Sequence, residues 1–151
     1  MDSGAAIRLR QAEMADAPHL LRWRNDDETR RYSVHPERIE WSQHLQWLGS
    51  VLQDTRAELY IAELDGQAIG SVRVDHGEDA KELSWTVAPE WRGRGVGSLM
   101  LRTAVSQIAP PLVARIHPLN VASKQVASKA GFVEAIGCDG WSVWRCEVRQ
   151  E

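Results

Sequence analysis

The most constraining feature of this sequence is a glycine-rich turn between a predicted strand and a predicted helix. Residues 87–98 read VAPEWRGRGVGS, in which Gly93, Gly95 and Gly97 alternate with larger residues. Glycine has no Cβ to block a ligand and adopts positive φ without strain, so several backbone N–H groups can point towards one anion. The start of a helix adds free N–H groups and positive potential. The pattern therefore predicts a turn that binds phosphate, and a plain glycine-rich turn is the alternative.

Two common phosphate-binding signatures do not fit this turn. A P-loop needs Gly-Lys followed by Ser or Thr, and no such run follows. A dinucleotide-binding fingerprint needs another glycine in phase, but Ser98 stands three residues after Gly95. The remaining pattern is R-x-x-G-x-G, formed by Arg92, Gly95 and Gly97, and Arg94 is a second cation beside it.

Alternation and helical spacing divide the chain into strands and helices. The predicted strands are 7–10, 59–64, 68–74, 82–87, 112–116, 132–136 and 141–148, and the predicted helices are 16–24, 40–53, 97–108 and 122–130. Asp65-Gly66 predicts a tight hairpin turn, and Gly131 is a typical residue at a helix C-terminus. Segment 29–38 is expected to be irregular. This order predicts an α/β (α+β) fold, a mixed sheet with helices on both faces.

Composition fits a single domain over residues 1–151 and narrows the choice of partners. The hydrophobic fraction of 43% and the charged fraction of 26% are typical of globular proteins. A net charge of −3 argues against nucleic acid as a partner. No apolar run approaches the ~20 residues that cross a bilayer, and no signal peptide is recognisable, so we expect a cytoplasmic protein without a membrane partner. No spacing predicts a metal site, and Cys138 and Cys146 are expected to be unpaired thiols.

The second half of the chain resembles the GCN5-related N-acetyltransferase (GNAT) superfamily. In that family a strand ending in x-V-x-P runs into Q/R-x-x-G-x-G/A at the start of a helix, and an Asn, a short helix and Gly-Phe follow. The matching residues are Val87, Pro89, Arg92, Gly95, Gly97, Asn120, Gly131 and Phe132. The resemblance is close over residues 57–149 and extends to the N-terminal half in element order only.

The resemblance implies a fold, a donor substrate and its binding residues. The sheet would be mostly antiparallel with about seven strands and a splay between the fourth and fifth. The donor would be acetyl-CoA, and its acetyl group would be transferred to an amine. The enzyme would be a monomer or homodimer. The backbone of Val87 would pair with the pantetheine, and Asn120 would contact it. The pyrophosphate would be held by the amides of Arg92, Gly93, Arg94, Gly95, Val96, Gly97 and Ser98.

Two residues are candidates for the base that removes a proton from the amine, as aminolysis of a thioester requires. Glu82 shares the polar face of its strand with Ser84 and Thr86, and many family members have a similar glutamate at this place. A strand-end carboxylate in solvent is the alternative. His117 follows the neighbouring strand and can titrate near neutral pH, although a structural role is the alternative there. We rank Glu82 first.

The sequence departs from the family where a general acid is expected. Many members carry a Tyr seven residues after the Asn, where this chain has Ala127 followed by Ser128. Either Ser128 or water protonates the thiolate, or the thiolate leaves unprotonated, since its pKa is near ~8.5. We favour water.

The first two predicted helices are expected to cover the acceptor. The run Trp23-Arg24-Asn25, followed later by a helix that contains residues 44–48, resembles the acetyltransferases of nucleotide-linked amino sugars. Physically, Arg24, Arg30 and Arg31 suit an anionic diphosphate, and Trp23 suits stacking on a base or sugar. A core Trp and a solvated arginine face are the alternative. The sequence predicts a small-molecule amine acetyltransferase. A ribosomal-protein N-terminal acetyltransferase and a non-catalytic acyl-CoA-binding module remain open.

Overall fold

The computed structural model describes residues 6–135, 137 and 140–147. The strands within them are β1 (Ile7–Gln11), β2 (Ala57–Leu64), β3 (Gln67–His76), β4 (Lys81–Val87), β5 (Leu112–Ile116), β6 (Val133–Ala135) and β7 (Ser142–Cys146). The α-helices are α1 (Ala17–Arg24), α2 (Asp27–Arg31), α3 (Trp41–Gln53), α4 (Val96–Gln107) and α5 (Val121–Lys129), and 3-10 turns occupy Met14–Asp16 and Pro89–Trp91. No helix in the described residues is long and apolar enough to cross a membrane.

All seven strands join one sheet in the order β1-β2-β3-β4-β5-β7-β6. Every pairing is antiparallel except that of β4 with β5, which is parallel. The turn between β2 and β3 has positive φ at Asp65 (53°) and Gly66 (78°), the conformation that a tight hairpin favours. The predicted mixed, mostly antiparallel sheet is confirmed.

The parallel pair β4–β5 is only two residues long. Lys81 pairs with Leu112 and Glu82 with Val113, and the two strands then separate. We call the space between residues 83–87 of β4 and 114–116 of β5 the opening. This confirms the predicted splay between the fourth and fifth strands.

Helices cover the sheet on both faces, as predicted. On one face α4 and α5 bury Leu101, Val105 and Ala127 against strands β3 to β7. On the other face α1 and α3 bury Trp23 and Leu48 against β2. The strands alternate accordingly: Leu83, Trp85 and Val87 of β4 point towards α4, which leaves the polar side chains of β4 on the opposite face.

The main departure from the prediction is α2, a five-residue helix in the segment expected to be irregular. Its sequence, DETRR, has no apolar stripe. The helix begins because Asp26 accepts a hydrogen bond from the Thr29 N–H at 3.2 Å, which satisfies a free donor of the first turn. Cys146 is a buried thiol, as expected. Cys138 lies outside the described residues.

Candidate active site

The edge of β4 forms one wall of the opening. Residues 83–87 pair with β3 on one side and, within the described residues, have no strand partner on the β5 side. Gly70 of β3 allows close packing here, since a Cβ at this position would lie 2.4 Å from the Thr86 carbonyl oxygen. The free polar groups of a strand edge can pair with an extended ligand. Val87, predicted to bind pantetheine, is the last residue of this edge.

The first turn of α4 lies beyond the end of β4 and has no protein cap. The N-cap residue is Gly95, in a left-handed conformation (φ 77°), and no side chain hydrogen-bonds to the turn, so its leading N–H groups stay available. Gly93 also has positive φ (76°). A Cβ on Gly93 or Gly95 would meet no atom within 4 Å, so the space in front of both glycines is open. This geometry fits an anion such as a diphosphate.

Gly97 serves packing rather than ligand access. It is buried in the first turn of α4, and a Cβ there would lie 3.2 Å from Val126 Cγ2 and 3.3 Å from Val87 Cγ2. The missing side chain lets α4 approach both β4 and α5. Only its N–H group, with those of Val96 and Ser98, belongs to the anion-binding turn.

The two arginines of the turn differ in what their side chains contact. The Arg92 guanidinium lies 2.8 Å from Asp26 Oδ2 and 3.3 Å from Glu28 Oε2. Arg94 lies 5.0 Å above the Trp91 ring, a contact that leaves its charge uncompensated. Arg94 is therefore the turn arginine that remains electrostatically available to a phosphate.

Asn120, predicted to contact pantetheine, caps α5. Its Oδ1 accepts a hydrogen bond from the Ser123 N–H at 3.2 Å. Its position beside the end of β5 is compatible with a ligand contact through the side-chain NH₂. The oxygen is already used by the protein.

Glu82 lies where β4 and β5 part. Its partners in the sheet are Asp75 on β3 and Val113 on β5, so it is the last β4 residue paired on both sides. Its carboxylate is 42% exposed and lies 3.5 Å from Arg115 Nε of β5. Ser84 is exposed on the same polar face. A carboxylate here can accept a proton from a group entering the opening.

Three aromatic rings meet at the far end of β5. The His117 ring centroid lies 5.3 Å from that of Tyr32 and 5.4 Å from that of Trp141. His117 Nδ1 accepts a hydrogen bond from the Leu119 N–H at 3.1 Å, so a neutral ring carries its proton on Nε2. This tautomer presents a donor, not a base. Sequence reasoning missed Tyr32 and Trp141 here, because they come from distant loops and share no motif.

The protein-family comparison decides the family. Residues 6–133 match the model of the acetyltransferase (GNAT) domain. This chain belongs to the GNAT acetyltransferase family. It is an N-acetyltransferase, and the family resemblance inferred from the motif is confirmed. No curated protein sequence matches it significantly.

Solved GNAT structures share the fold at low sequence identity. The aminoglycoside acetyltransferase AAC(6')-Ib with ribostamycin and coenzyme A has a TM-score of 0.81 at 22% identity, over 95% of this chain and 94% of that one. Spermidine N-acetyltransferase from Vibrio cholerae, with CoA and spermine, gives 0.78 at 18%, over 92% of each chain. The ribosomal L7/L12 acetyltransferase RimL with coenzyme A gives 0.76 at 16%, over 95% of each.

The predicted acceptor residues of this GNAT domain divide into a core residue and surface arginines. Trp23 is 1% exposed and stacks on His19 (ring centroids 4.8 Å apart), so its ring cannot stack on a ligand. Arg24 and Arg30 are half-buried and donate to the carbonyls of His35 (2.6 Å) and Pro36 (3.3 Å). Arg31 is exposed.

Near α2, two arginines of the described structure have N–H groups without hydrogen-bond partners, whereas the carboxylates are paired. Arg24 Nη1 and Arg30 Nε are buried without a hydrogen-bond partner in the described structure. Burial lowers the pKa of Arg24. The charge of Glu37 opposes this shift, and the nearby charge of Arg30 adds to it, so the two guanidinium groups lie close together in a partly desolvated environment. The carboxylates of α2 are paired: Asp27 with Arg30, and Glu28 with Arg92.

The position where many family members carry a general acid cannot supply one in this GNAT domain. Ala127 is fully buried against the sheet, so no side chain reaches the opening from it. Ser128 is exposed one residue later and does not share that direction. Among the described residues, no group of three or more His, Cys, Asp or Glu side chains is arranged to hold a metal ion.

Proposed function

We propose that this enzyme transfers an acetyl group from acetyl-CoA to the primary amine of a small anionic molecule, an amino sugar carried on a nucleotide. The observation behind this acceptor class is the pair of partly buried arginines with unpartnered N–H groups beside paired carboxylates. An anionic group bound beside these side chains would reduce the repulsion between the guanidiniums.

The donor is held by the β4 edge and the first turn of α4. Backbone N–H groups of residues 96–98 and the charge of Arg94 hold the pyrophosphate, and the open space at Gly93 and Gly95 admits it. The free edge of β4 up to Val87 pairs with the pantetheine. Asn120, at the start of α5, contacts it through the side-chain NH₂ group. Acetyl-CoA supplies a thioester whose acetyl group lies at the opening.

Glu82 acts as the general base, directly or through a water. It removes a proton from the ammonium group, and the neutral nitrogen then attacks the carbonyl carbon as the C–S bond breaks. Ser84, exposed two residues along the same face, orients the amine or that water. The nitrogen then loses its second proton, which passes through water to the departing thiolate, since Ala127 provides no acid. His117, with Nδ1 occupied, donates from Nε2 and does not compete for the base role.

The charge around the acceptor separates this enzyme from polycation acetyltransferases. AAC(6')-Ib and the spermidine enzyme are named for cationic amines, which need unpaired carboxylates near the acceptor. Here Asp26 and Glu28 are bound by Arg92, and Asp27 by Arg30. This distribution supports an anionic acceptor.

A panel of acceptors tests this proposal, with free CoA release as the readout. We expect turnover with an amino-sugar nucleotide and little with spermidine, an aminoglycoside or a peptide N-terminus. Arg31→Ala should raise the acceptor KM about three- to tenfold at low salt, as for loss of one exposed phosphate contact, and leave the acetyl-CoA KM unchanged. Added salt should mimic the substitution.

The matched control is Arg102→Ala, which removes an exposed arginine from α4. It should alter neither KM. Efficient acetylation of peptides without any arginine or salt effect would contradict the anionic acceptor and favour a protein N-terminal acetyltransferase.

A further inference from the structure

The Arg92 side chain turns away from the anion-binding turn and towards α2. Its Nη2 lies 2.8 Å from Asp26 Oδ2 and 3.0 Å from Thr29 Oγ1, and its Nε lies 3.3 Å from Glu28 Oε2. All three partners belong to the start of α2. The side chains of Arg92 and Asp26 are only 29% and 22% exposed, so their pairing is partly shielded from water.

Asp26 connects two structural elements through one carboxylate. Its Oδ2 caps α2 by accepting from the Thr29 N–H at 3.2 Å, and the same oxygen receives Arg92. Burial raises the pKa of Asp26, but hydrogen bonds from Arg92 and from the N–H groups of Thr29 and Glu28 outweigh it, so the pKa lies below its usual value. The carboxylate is therefore ionised wherever the enzyme is folded near neutral pH.

The other end of α2 is attached to the opposite side of the opening. Tyr32, the residue directly after the helix, has its ring 5.3 Å from that of His117, which follows β5. Arg92 follows β4. The helix, ~8 Å long at 1.5 Å per residue, thus bridges from the chain after β4 to the chain after β5.

This bridge carries acceptor residues. Arg30 lies in the last turn of α2 and Arg31 ends it, so the placement of the helix sets where their charges stand relative to the donor turn. A second ion pair, between Arg22 and Glu90, also joins the helical side to the segment after β4. Its partners are 54% and 50% exposed, so it is the weaker connection.

We propose that Arg92 is a positioning residue for the acceptor: it anchors α2 across the mouth of the opening through Asp26 and Glu28, instead of binding the pyrophosphate. The inference rests on the proposed transfer to an acceptor held by α2. It assigns the arginine of R-x-x-G-x-G to the acceptor side and leaves the donor to the backbone N–H groups and Arg94.

Steady-state kinetics and donor binding separate the two roles. Arg92→Ala should raise the acceptor KM roughly five- to tenfold, as for loss of the partly shielded pair with Asp26 and the more exposed pair with Glu28, with kcat lowered less. The acetyl-CoA Kd should change less than twofold. Arg92→Lys should restore part of the acceptor affinity, because a lysine keeps one ion pair. Asp26→Asn, which keeps a capping oxygen, should reproduce the defect, and combining it with Arg92→Ala should add little.

A measurement independent of turnover keeps the inference testable if no acceptor is found. Amide hydrogen exchange in residues 27–32 should accelerate in Arg92→Ala and much less in Arg22→Ala, which breaks only the exposed pair. A weaker acetyl-CoA affinity with unchanged acceptor KM and unchanged exchange would overturn the inference and return Arg92 to the pyrophosphate. Failure of every amine acceptor, with faster exchange in α2, would overturn the proposed function and not the anchoring role.

Discussion

The helices α4 and α5 both begin at the opening, one after β4 and the other after β5, yet their first turns are opposite in design. The first turn of α5 is capped by Asn120, whose oxygen binds the Ser123 N–H. The first turn of α4 starts at Gly95 and has no side-chain cap. A helix start that the protein satisfies contributes to stability, whereas one that it leaves open is available to an anion. The difference favours the α4 side of the opening as the phosphate site.

Two other helix starts in the described chain follow the α5 pattern, whereas α1 also has no side-chain cap. Asp26 caps α2, and Glu40 with Gln43 forms a reciprocal pair of hydrogen bonds at the start of α3. Most α-helix starts in the described chain therefore have a side-chain cap, and that of α4 does not.

The largest effect should come from closing the open turn. Gly95→Asp would supply a cap and place a negative charge where the pyrophosphate binds, so the acetyl-CoA Kd should rise by roughly 10²- to 10³-fold, the cost of a close like-charge contact. Isothermal titration measures this directly. Gly95→Ala separates charge from strain, since both residues must adopt φ near 77° there. If both variants weaken binding equally, the charge argument fails.

The second prediction concerns Glu82, which lies where β4 and β5 separate. Glu82→Gln should lower kcat by about 10²-fold at neutral pH, the usual scale for losing a general base, with the acetyl-CoA Kd unchanged. The deficit should shrink at higher pH, where more amine is already neutral.

Asp75→Asn is the matched control, because Asp75 lies directly opposite Glu82 in the sheet and is paired with Arg73. Its turnover should stay near wild type. An equal loss in both variants would mean that the polar face, not a specific base, governs the rate, and a larger loss in His117→Ala would reverse our ranking of the bases.

The smallest effect should come from opening the closed turn. Asn120→Ala should lower the free energy of unfolding by about 1 kcal/mol, the usual cost of a lost N-cap, measured by chemical denaturation. Asn120→Asp keeps a capping oxygen and should be nearly as stable as wild type. A loss of acetyl-CoA affinity shared by both variants would add evidence for a pantetheine contact through the NH₂ group. Unchanged stability in Asn120→Ala would contradict the comparison between the two helix starts.

Local sequence rules were sufficient for most of the fold. Strand alternation and the Asp65-Gly66 turn depend on neighbouring residues only, and β5 lies where its pattern predicted, over residues 112–116. Helix α2 was missed because its sequence has no apolar face, and its start depends on Asp26, which Arg92 contacts from a distant part of the chain.

The sequence predicted the parts of the site that depend on local backbone conformation. It did not predict the parts that depend on which side chains meet in the folded protein. The glycines marked the turn. Positive φ is possible at Gly93, Gly95 and Gly97, and it occurs at Gly93 and Gly95, whereas Gly97 is helical. The packing of Gly97 against Val87 and Val126 depends on how α4 crosses β4 and α5. Trp23 could be a core or a cleft residue with the same sequence pattern, and only its burial separates the two.

The two-residue seam between β4 and β5 has a mechanical consequence. Within the described residues, strands β5, β7 and β6 pair with the rest of the sheet only at Lys81–Leu112 and Glu82–Val113. An extended donor bound along the free edge of β4 would lengthen this short junction. The substrate would then act as an additional strand that links the sub-sheet β1 to β4 with the sub-sheet β5 to β7 while it is bound. The two sub-sheets of the free enzyme would then move relative to each other along the seam. The Glu82 carboxylate at its end would be held most firmly when the donor is in place.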